Sequence, residues 1–344
     1  MDDSPRSQAL RRLLSARAQA ESPRAGGTDC VRLCAGLADG LPGLIVDRFG
    51  PLVVAVDYAG ATPDGLSAPA LLHAVRSKFP EHHVIAKARS STDGTNMFVT
   101  AQEPAAGALF GAPPLVATEQ GLKFEIGVDP RHDFGIYLDA AKARLFVRAA
   151  ARGRRVLNLF SYTGAFGVAA AAGGAAEVTN VDPARDYLAW SLRNAALNGV
   201  KMRVLPDTAQ EHLARHLRRL TRNPQHPRYD LVIVDPPAFG VGRGNQRVLR
   251  LLWPELFASL RTMAPQQLVL MSNDKAFRSR QGFQELVQAQ LGELYRFDRL
   301  GTYLTPADLA MERPVLSWRP EAEDPYYVEP IVLTGTLLGG VSAR

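Results

Sequence analysis

The sequence predicts an α/β protein, with a doubly wound, mostly parallel sheet preceded by a smaller α/β domain. Three observations carry this. From about residue 121, short apolar runs alternate with helical patterns, as parallel strands joined by crossover helices do. Some of these runs are apolar throughout, as in "LVIV" (231–234), so both faces of their sheet need covering. Before residue 100 the strand-like runs lie closer together, separated by turns such as "DGLPG" (39–43), which suits a compact unit of its own.

The elements follow in order. "SQALRRLLSARAQA" (7–20) is a polar helix with Leu10, Leu13 and Leu14 in helical spacing. "ESPRAGGT" breaks it. "CVRLCAG" and "GLIVDRFG" form a strand pair and "LVVAVDYA" a third strand. "APALLHAVRSKF" is a helix with Leu71, Leu72, Val75 and Phe79 on one face, and "HVIAKARS" and "TNMFVTA" are further strands. Residues 101–120, low in charge and rich in Ala, Gly and Pro, read as a link that holds at most a short strand. "LKFEIGV" then opens the alternating part. The strands after it are "RVLNLF", "EVTNVD", "MRVLP", "DLVIVD" and "QLVLMS". The helices are "DAAKARLFVRAAA", "GAFGVAAAAGG", "ARDYLAWSLRNAALNG", "AQEHLARHLRRL", "NQRVLRLLWPELFASLRTM" with a kink at Pro254, and "QGFQELVQAQLGE". "YYVEPIVLTG" adds one more strand or an edge extension. The expected division is an N-terminal helical extension (1–27), the small α/β domain (28–118), the main domain (119–320) and a C-terminal extension (321–344).

Composition narrows the class. The 344 residues are 46% hydrophobic and 22% charged, as in a globular protein with a sizeable core. Neither a signal-like leader nor an 18-residue apolar stretch occurs, so a cytoplasmic protein without a membrane span is expected. Two cysteines, Cys30 and Cys34, make neither a disulfide framework nor a four-cysteine zinc site. No metal is expected, because His212 and His216 have i, i+4 spacing without the glutamate of H-E-x-x-H. The net charge of +6 mildly favours a polyanionic partner. Arg215, Arg218, Arg219, Arg222 and Arg228, then Arg243, Arg247 and Arg250, form either a solvated helix face or a phosphate-contacting rim.

Ligands of such sheets sit at the carboxyl ends of the strands. The first alternating strand ends "LNLFSYTGAFG", a small-residue turn that is neither G-x-G-x-x-G nor a Walker loop. The next ends in Asp182, where an acid can hold ribose hydroxyls or merely cap the following helix. The third ends near Asp207 and the fourth in Asp235-Pro236-Pro237-Ala238-Phe239. Proline stops a strand, so this last motif is either a simple terminator or a rigid clamp. As a clamp it joins an acceptor for N–H groups, Asp235, to a stacking surface, Phe239.

This ordered set resembles the class I S-adenosylmethionine-dependent methyltransferases, whose fold is Rossmann-like. The resemblance implies S-adenosylmethionine as cofactor. It also implies a methionine-side turn at Asn158, Phe160, Ser161, Tyr162 and Gly164, ribose contacts from Asp182 and adenine contacts from Asp207. D-P-P-A-F resembles the motif of enzymes that methylate nucleobase nitrogens, which implies catalytic roles for Asp235, Pro236, Pro237 and Phe239, with Asp235 also near the cofactor. "NLFSYTGAFGVAAAAGGA", "VDPARDYLAWSLRNAALNG", "FGIYLDAAKARLFV" and "RLCAGLADGLPGLIVDRFG" resemble bacterial large-subunit ribosomal RNA methyltransferases, over roughly residues 28–315. By that resemblance Arg131, Tyr137 and Asp139 approach the methyl donor. The partner it implies is RNA, large-subunit ribosomal RNA in particular, met through basic surface, and the small domain would help bind it. The RNA-binding PUA module of many such proteins does not fit in 27 residues.

The cytosine-C5 members of that group use a cysteine after the fifth strand, because carbon 5 becomes nucleophilic only once a thiolate has added at carbon 6. Here that place reads "MSNDKAF", without a cysteine. It is similar instead to the corresponding segment of guanine-N7 methyltransferases, which implies roles for Asn273 and Lys275 toward the base. The expectation is therefore transfer to an RNA base, with guanine N7 favoured. The alternatives are a small-molecule methyltransferase and an inactive RNA-binding homologue.

Overall fold

The computed structural model describes residues 4–19, 27–91, 98–109, 113–128, 134–237, 248–272, 280–304 and 330–338. These fall into two compact units, which meet in sequence between Asp139 and Ala140; residues 303–304 return to the first unit.

The first unit begins with α1 (Pro5–Gln19) and a five-stranded sheet of β1 (Cys30–Ala35), β2 (Leu44–Phe49), β3 (Leu52–Asp57), β4 (His83–Arg89) and β5 (Phe98–Gln102), in that spatial order. Neighbours are antiparallel except β3 and β4, which run parallel because α2 (Ala68–Arg76) crosses between them. The Ser67 hydroxyl caps α2 by accepting the Ala70 N–H, and Leu71, Ala74 and Val75 are buried. The link expected over 101–120 holds more than a short strand. It includes the turn α3 (Pro104–Gly107) and β6 (Leu115–Glu119), which pairs antiparallel with β7 (Leu122–Ile126).

That hairpin corrects one expectation. "LKFEIGV" does not open the main sheet; it folds back on β6 within the first unit. A boundary at 118/119 would cut β6, and the units divide about twenty residues later.

The second unit holds a seven-stranded sheet. Its elements are α4 (Ala141–Ala150), β8 (Arg155–Leu159), α5 (Ala165–Ala172), β9 (Glu177–Val181), α6 (Arg185–Leu197), β10 (Arg203–Leu205), α7 (Ala209–Arg222), β11 (Leu231–Val234), α8 (Val248–Met263), β12 (Gln267–Ser272), α9 (Arg280–Leu291), β13 (Tyr295–Leu300) and β14 (Ile331–Leu337). The spatial order is β10-β9-β8-β11-β12-β14-β13, and the first five strands are parallel. This is the doubly wound, mostly parallel sheet the sequence predicts.

Both faces are apolar, as the run "LVIV" requires. Leu157, Leu159, Val232 and Val234 point to one core with Leu213, Trp253, Phe257 and Phe283. Val156, Leu231, Ile233 and Val269 point to the other, with Val147, Phe166 and Ala170. Leu231–Val234 are all 0% exposed, a burial that stabilises by about 1.5–3 kcal/mol per side chain.

Of the two expectations for the last segment, one more strand or an edge extension, the first holds: β14 lies antiparallel between β12 and β13, so residues 331–337 of the expected C-terminal extension sit inside the sheet.

Candidate functional site: the carboxyl ends of β8, β9, β10 and β11

The strand order reverses between β8 and β11, and such a switch point opens a crevice at the carboxyl ends of the strands. The turn after β8 stands there in a tight left-handed conformation: Phe160, Tyr162 and Gly164 have φ of 56°, 49° and 79°. Two non-glycine residues in this region cost about 1–2 kcal/mol each, a strain that folded proteins tolerate mainly where surrounding contacts enforce it.

Those contacts are present. The Ser161 N–H donates to the Val181 carbonyl at 3.0 Å, and the Gly164 N–H closes the turn onto the Ser161 carbonyl at 2.8 Å. The Tyr162 N–H donates to Asp182 Oδ2 at 3.0 Å, while Asp182 Oδ1 accepts the Ala184 N–H at 2.9 Å. Asp182 thus makes two local contacts at the strand end. It ties the turn to the end of β9 and stabilises the entry to α6. A carboxylate has about four acceptor positions, so two accepted N–H groups leave room for two hydroxyl donors. Burial pushes its carboxyl above the usual carboxylate range, and the two N–H donors work against that rise.

Beneath the turn lies a buried polar network, of which the sequence reading named Asn158 but not Asn180, Ser191 or Asn194. Asn158 Nδ2 donates to Asn180 Oδ1, Asn180 Nδ2 donates to Ser191 Oγ, and Asn194 Nδ2 donates to the Thr163 carbonyl, each at 3.0 Å. Asn158 and Asn180 are register partners on β8 and β9. A polar residue at the same place in two neighbouring buried strands is the signal that could have revealed the pair. The network also gives Gly164 a structural reason: a Cβ there would stand 2.1 Å from Ser191 Oγ and 3.0 Å from Asn180 Nδ2. Tyr162 packs on α6, with its ring 4.6 Å from that of Tyr187 and 6.4 Å from that of Trp190.

After β10, the Asp207 carboxylate accepts Arg215 Nη2 at 2.5 Å, with His212 Nδ1 at 3.9 Å. The next residue, Thr208, makes a capping box with Glu211 that starts α7. Burial holds His212 and His216 near a pKa of about 4, so both are neutral, and the Tyr229 hydroxyl lies 3.3 Å from His212 Nε2.

β11 pairs with β8 so that Val234 faces Leu159. Asp235 thus emerges one residue past that register, beside the turn; it is half-buried, Pro236 is buried and Pro237 is exposed. The second unit therefore brings together Asn158, Phe160, Ser161, Tyr162, Gly164, Asp182, Asp207, Asp235, Pro236 and Pro237 at one end of its sheet. Tyr137 and Asp139 belong to the first unit. Arg131, Phe239, Asn273 and Lys275 lie outside the described residues.

A family model described as "S-adenosylmethionine-dependent methyltransferase" matches residues 68–278, more than half of the chain. The chain belongs to that family. Among curated relatives, it is 34% identical over 216 residues to the ribosomal RNA large subunit methyltransferase I of Klebsiella pneumoniae (strain 342), an alignment covering 62% of this chain and 52% of the relative. It is 36% identical over 219 residues to the protein of the same name from Erwinia tasmaniensis, covering 61% and 52%. The chain thus spans about half the length of the curated relatives it matches. A solved structure of a candidate methyltransferase from Streptococcus mutans shares the fold, with a TM-score of 0.69 at 21% identity, covering 98% of this chain and 83% of that one.

The site fits this family's cofactor. Asn158 Oδ1 and Ser161 Oγ are buried polar atoms without a hydrogen-bond partner among the described residues, and polar ligand groups can satisfy them. Asp182 keeps acceptor capacity for a diol. The methyltransferase turn carries none of the glycine-rich phosphate cradle that a nucleoside diphosphate would call for.

Proposed function

We propose that this methyltransferase modifies a base of large-subunit ribosomal RNA at a ring nitrogen, with guanine N7 the favoured atom. The carrying observation is the placement of Asp235-Pro236-Pro237, which leaves the strand next to β8 beside the cofactor turn. Bound S-adenosylmethionine supplies an electrophilic methyl group on a sulfonium. Asn158 and Ser161 would hold its amino-acid end, Asp182 its ribose, and Asp207, kept in place by Arg215, its adenine amine. Asp235 would accept N–H groups of the base while the two prolines keep that acceptor from drifting. Near-attack alignment of this kind can supply about 7–11 kcal/mol. The resemblance adds Phe239 as the stacking surface, Asn273 and Lys275 as donors to the base, and Arg131, Tyr137 and Asp139 near the methyl donor.

The cysteines support nitrogen over carbon 5. The chain has only two, both buried in β1. Cys34 S–H donates to the Leu44 carbonyl at 3.1 Å, and burial pushes its thiol up to about 12, the reverse of what a nucleophilic thiolate needs. The names of the 34–36% identical relatives support ribosomal RNA as substrate, which would place the protein in the cytoplasm. Among the described residues no helix is long and apolar enough to cross a membrane.

The test incubates the protein with labelled S-adenosylmethionine and unmodified large-subunit RNA, then identifies the labelled nucleoside by mass spectrometry. Labelled 7-methylguanosine is the expected product. Labelled 5-methylcytidine would overturn the nitrogen assignment, and cofactor binding without labelled RNA would overturn the substrate.

A further inference from the structure

The buried network under the cofactor turn has a direction, and Met202 sets it. A primary amide carries N–H donors on one side and a carbonyl acceptor on the other, so in a row of amides each one dictates the next. The Asn180 amide is completely buried. Its Nδ2 donates to Ser191 Oγ at 3.0 Å and to Met202 Sδ at 3.6 Å. A hydroxyl can donate or accept, so Ser191 alone would suit either side of that amide. A thioether has no hydrogen to give and only accepts. Met202 therefore decides how Asn180 points, with its NH2 toward the sulfur and its carbonyl oxygen toward β8. The pair is also held from above. A Cβ on Gly167 in α5 would stand 2.6 Å from Asn180 Nδ2 and 2.8 Å from Met202 Sδ.

The same logic passes to Asn158. Asn180 Oδ1 accepts Asn158 Nδ2 at 3.0 Å, which leaves Asn158 Oδ1 as the end of the row. That oxygen is buried and has no hydrogen-bond partner among the described residues. Asn158 stands near the end of β8, two residues before the left-handed turn begins at Phe160. Ser161 Oγ, inside that turn, is a second buried oxygen of the same kind. An unmatched buried acceptor is costly, and a cationic N–H is its strongest partner.

We propose that Asn180 and Met202 are positioning residues. Through the Asn158 amide they make the methionine end of the site an acceptor, which selects a cofactor bearing an ammonium group there. This rests on the reading of Asn158 as a contact of the cofactor's amino-acid end. Asn180, wholly buried, acts through Asn158.

The experiment uses calorimetry on the intact chain. It compares S-adenosylhomocysteine with its deaminated analogue, which has hydrogen in place of the amino group. Wild-type protein should bind the amino ligand about 10–100-fold more tightly, as a hydrogen bond to a charged group contributes. Asn180→Leu removes the acceptor that holds the Asn158 NH2. The released amide can then turn its donors to the analogue's carboxylate, so the preference should shrink by about fivefold or more. Met202→Leu, a volume-conserving change, removes only the sulfur and should shrink the preference in the same direction by less. It carries the test if Asn180→Leu does not fold. Asn180→Asp keeps an acceptor facing Asn158 and should keep the preference. Variants that lose affinity for both ligands alike, with the wild-type preference unchanged, would reduce the row to packing and overturn the proposal while the cofactor reading stands. A wild type that binds both ligands equally well would overturn the proposal together with the role of Asn158, and a wild type that binds neither would overturn the cofactor site itself.

Discussion

Gly164→Ala separates a glycine needed for packing from one needed only for its backbone angle. At Gly164 both demands act together: φ is +79°, and a Cβ would stand 2.1 Å from Ser191 Oγ and 2.8 Å from Ser191 Cβ. The left-handed angle alone costs an L-residue about 1–2 kcal/mol, and overpacking a close-packed interior adds about 1–3 kcal/mol. Together they amount to about 2–5 kcal/mol. Gly153 is the control, with φ +71° and nothing within 4 Å of an added Cβ, so Gly153→Ala should cost only the angle, about 1–2 kcal/mol. Urea unfolding followed by tryptophan fluorescence reports on the right unit, because Trp190 and Trp253 both lie there. The expected result is a midpoint for Gly164→Ala clearly below that of Gly153→Ala, together with weakened S-adenosylmethionine binding, since the Ser161–Gly164 turn must shift. Equal midpoints would refute the account of the Asn158–Asn180–Ser191 network as a rigid floor beneath the turn.

Four further outcomes follow from the geometry. Asp182→Ala leaves the Tyr162 and Ala184 N–H groups without their acceptor, at about 1–3 kcal/mol each if they stay buried, and should weaken cofactor binding; calorimetric affinity equal to wild type would refute the assignment. Asp235→Ala should abolish methyl transfer while S-adenosylmethionine affinity stays within a few-fold, so an equal loss of cofactor binding argues against its role toward the base. Cys34→Ala should leave transfer intact, and a dead but folded and cofactor-binding variant would restore a thiol mechanism. His212 and His216 take up a proton near pH 6.5 when unfolded but only near pH 4 when folded. The unfolded state therefore binds more protons between these values, and stability present above pH 6.5 falls by about 2–3 kcal/mol per histidine as the pH drops toward 4. Replacing both with glutamine should flatten that part of the stability profile.

Much of the fold can be read from local pattern, and the exceptions have physical causes. Strands such as Leu231–Val234 announce themselves because a strand buried on both faces is apolar at every position. The partner of a strand leaves no comparable mark. "LKFEIGV" has the same look whether it opens a parallel sheet or folds back as β7, and "IVLTG" does not reveal that it enters between two strands written earlier. At the site, Asp182, Asp207 and Asp235 were legible because charged residues at the ends of apolar runs stand out. Asn180 was not, since a neutral amide inside such a run reveals its role only through the Asn158 register partner and the helix residue Ser191. The engagement of Asp207 by Arg215 likewise depends on α7 beginning at the capping box, which brings residue 215 back over the strand end.

The placement of β14 has a consequence for how the chain matures. β12 and β13 are made some thirty residues or more before the segment that joins them, so through that interval of synthesis each offers an unsatisfied edge. The catalytic sheet is therefore sewn shut by its latest strand, after the chain has already gone back to the first unit at Tyr303 and Leu304. Neither unit is one uninterrupted length of polypeptide. Shortening the gene from its 3′ side would open the sheet in its interior rather than trim its rim, and exchanging the catalytic half between homologues requires replacing more than one separate stretch of chain.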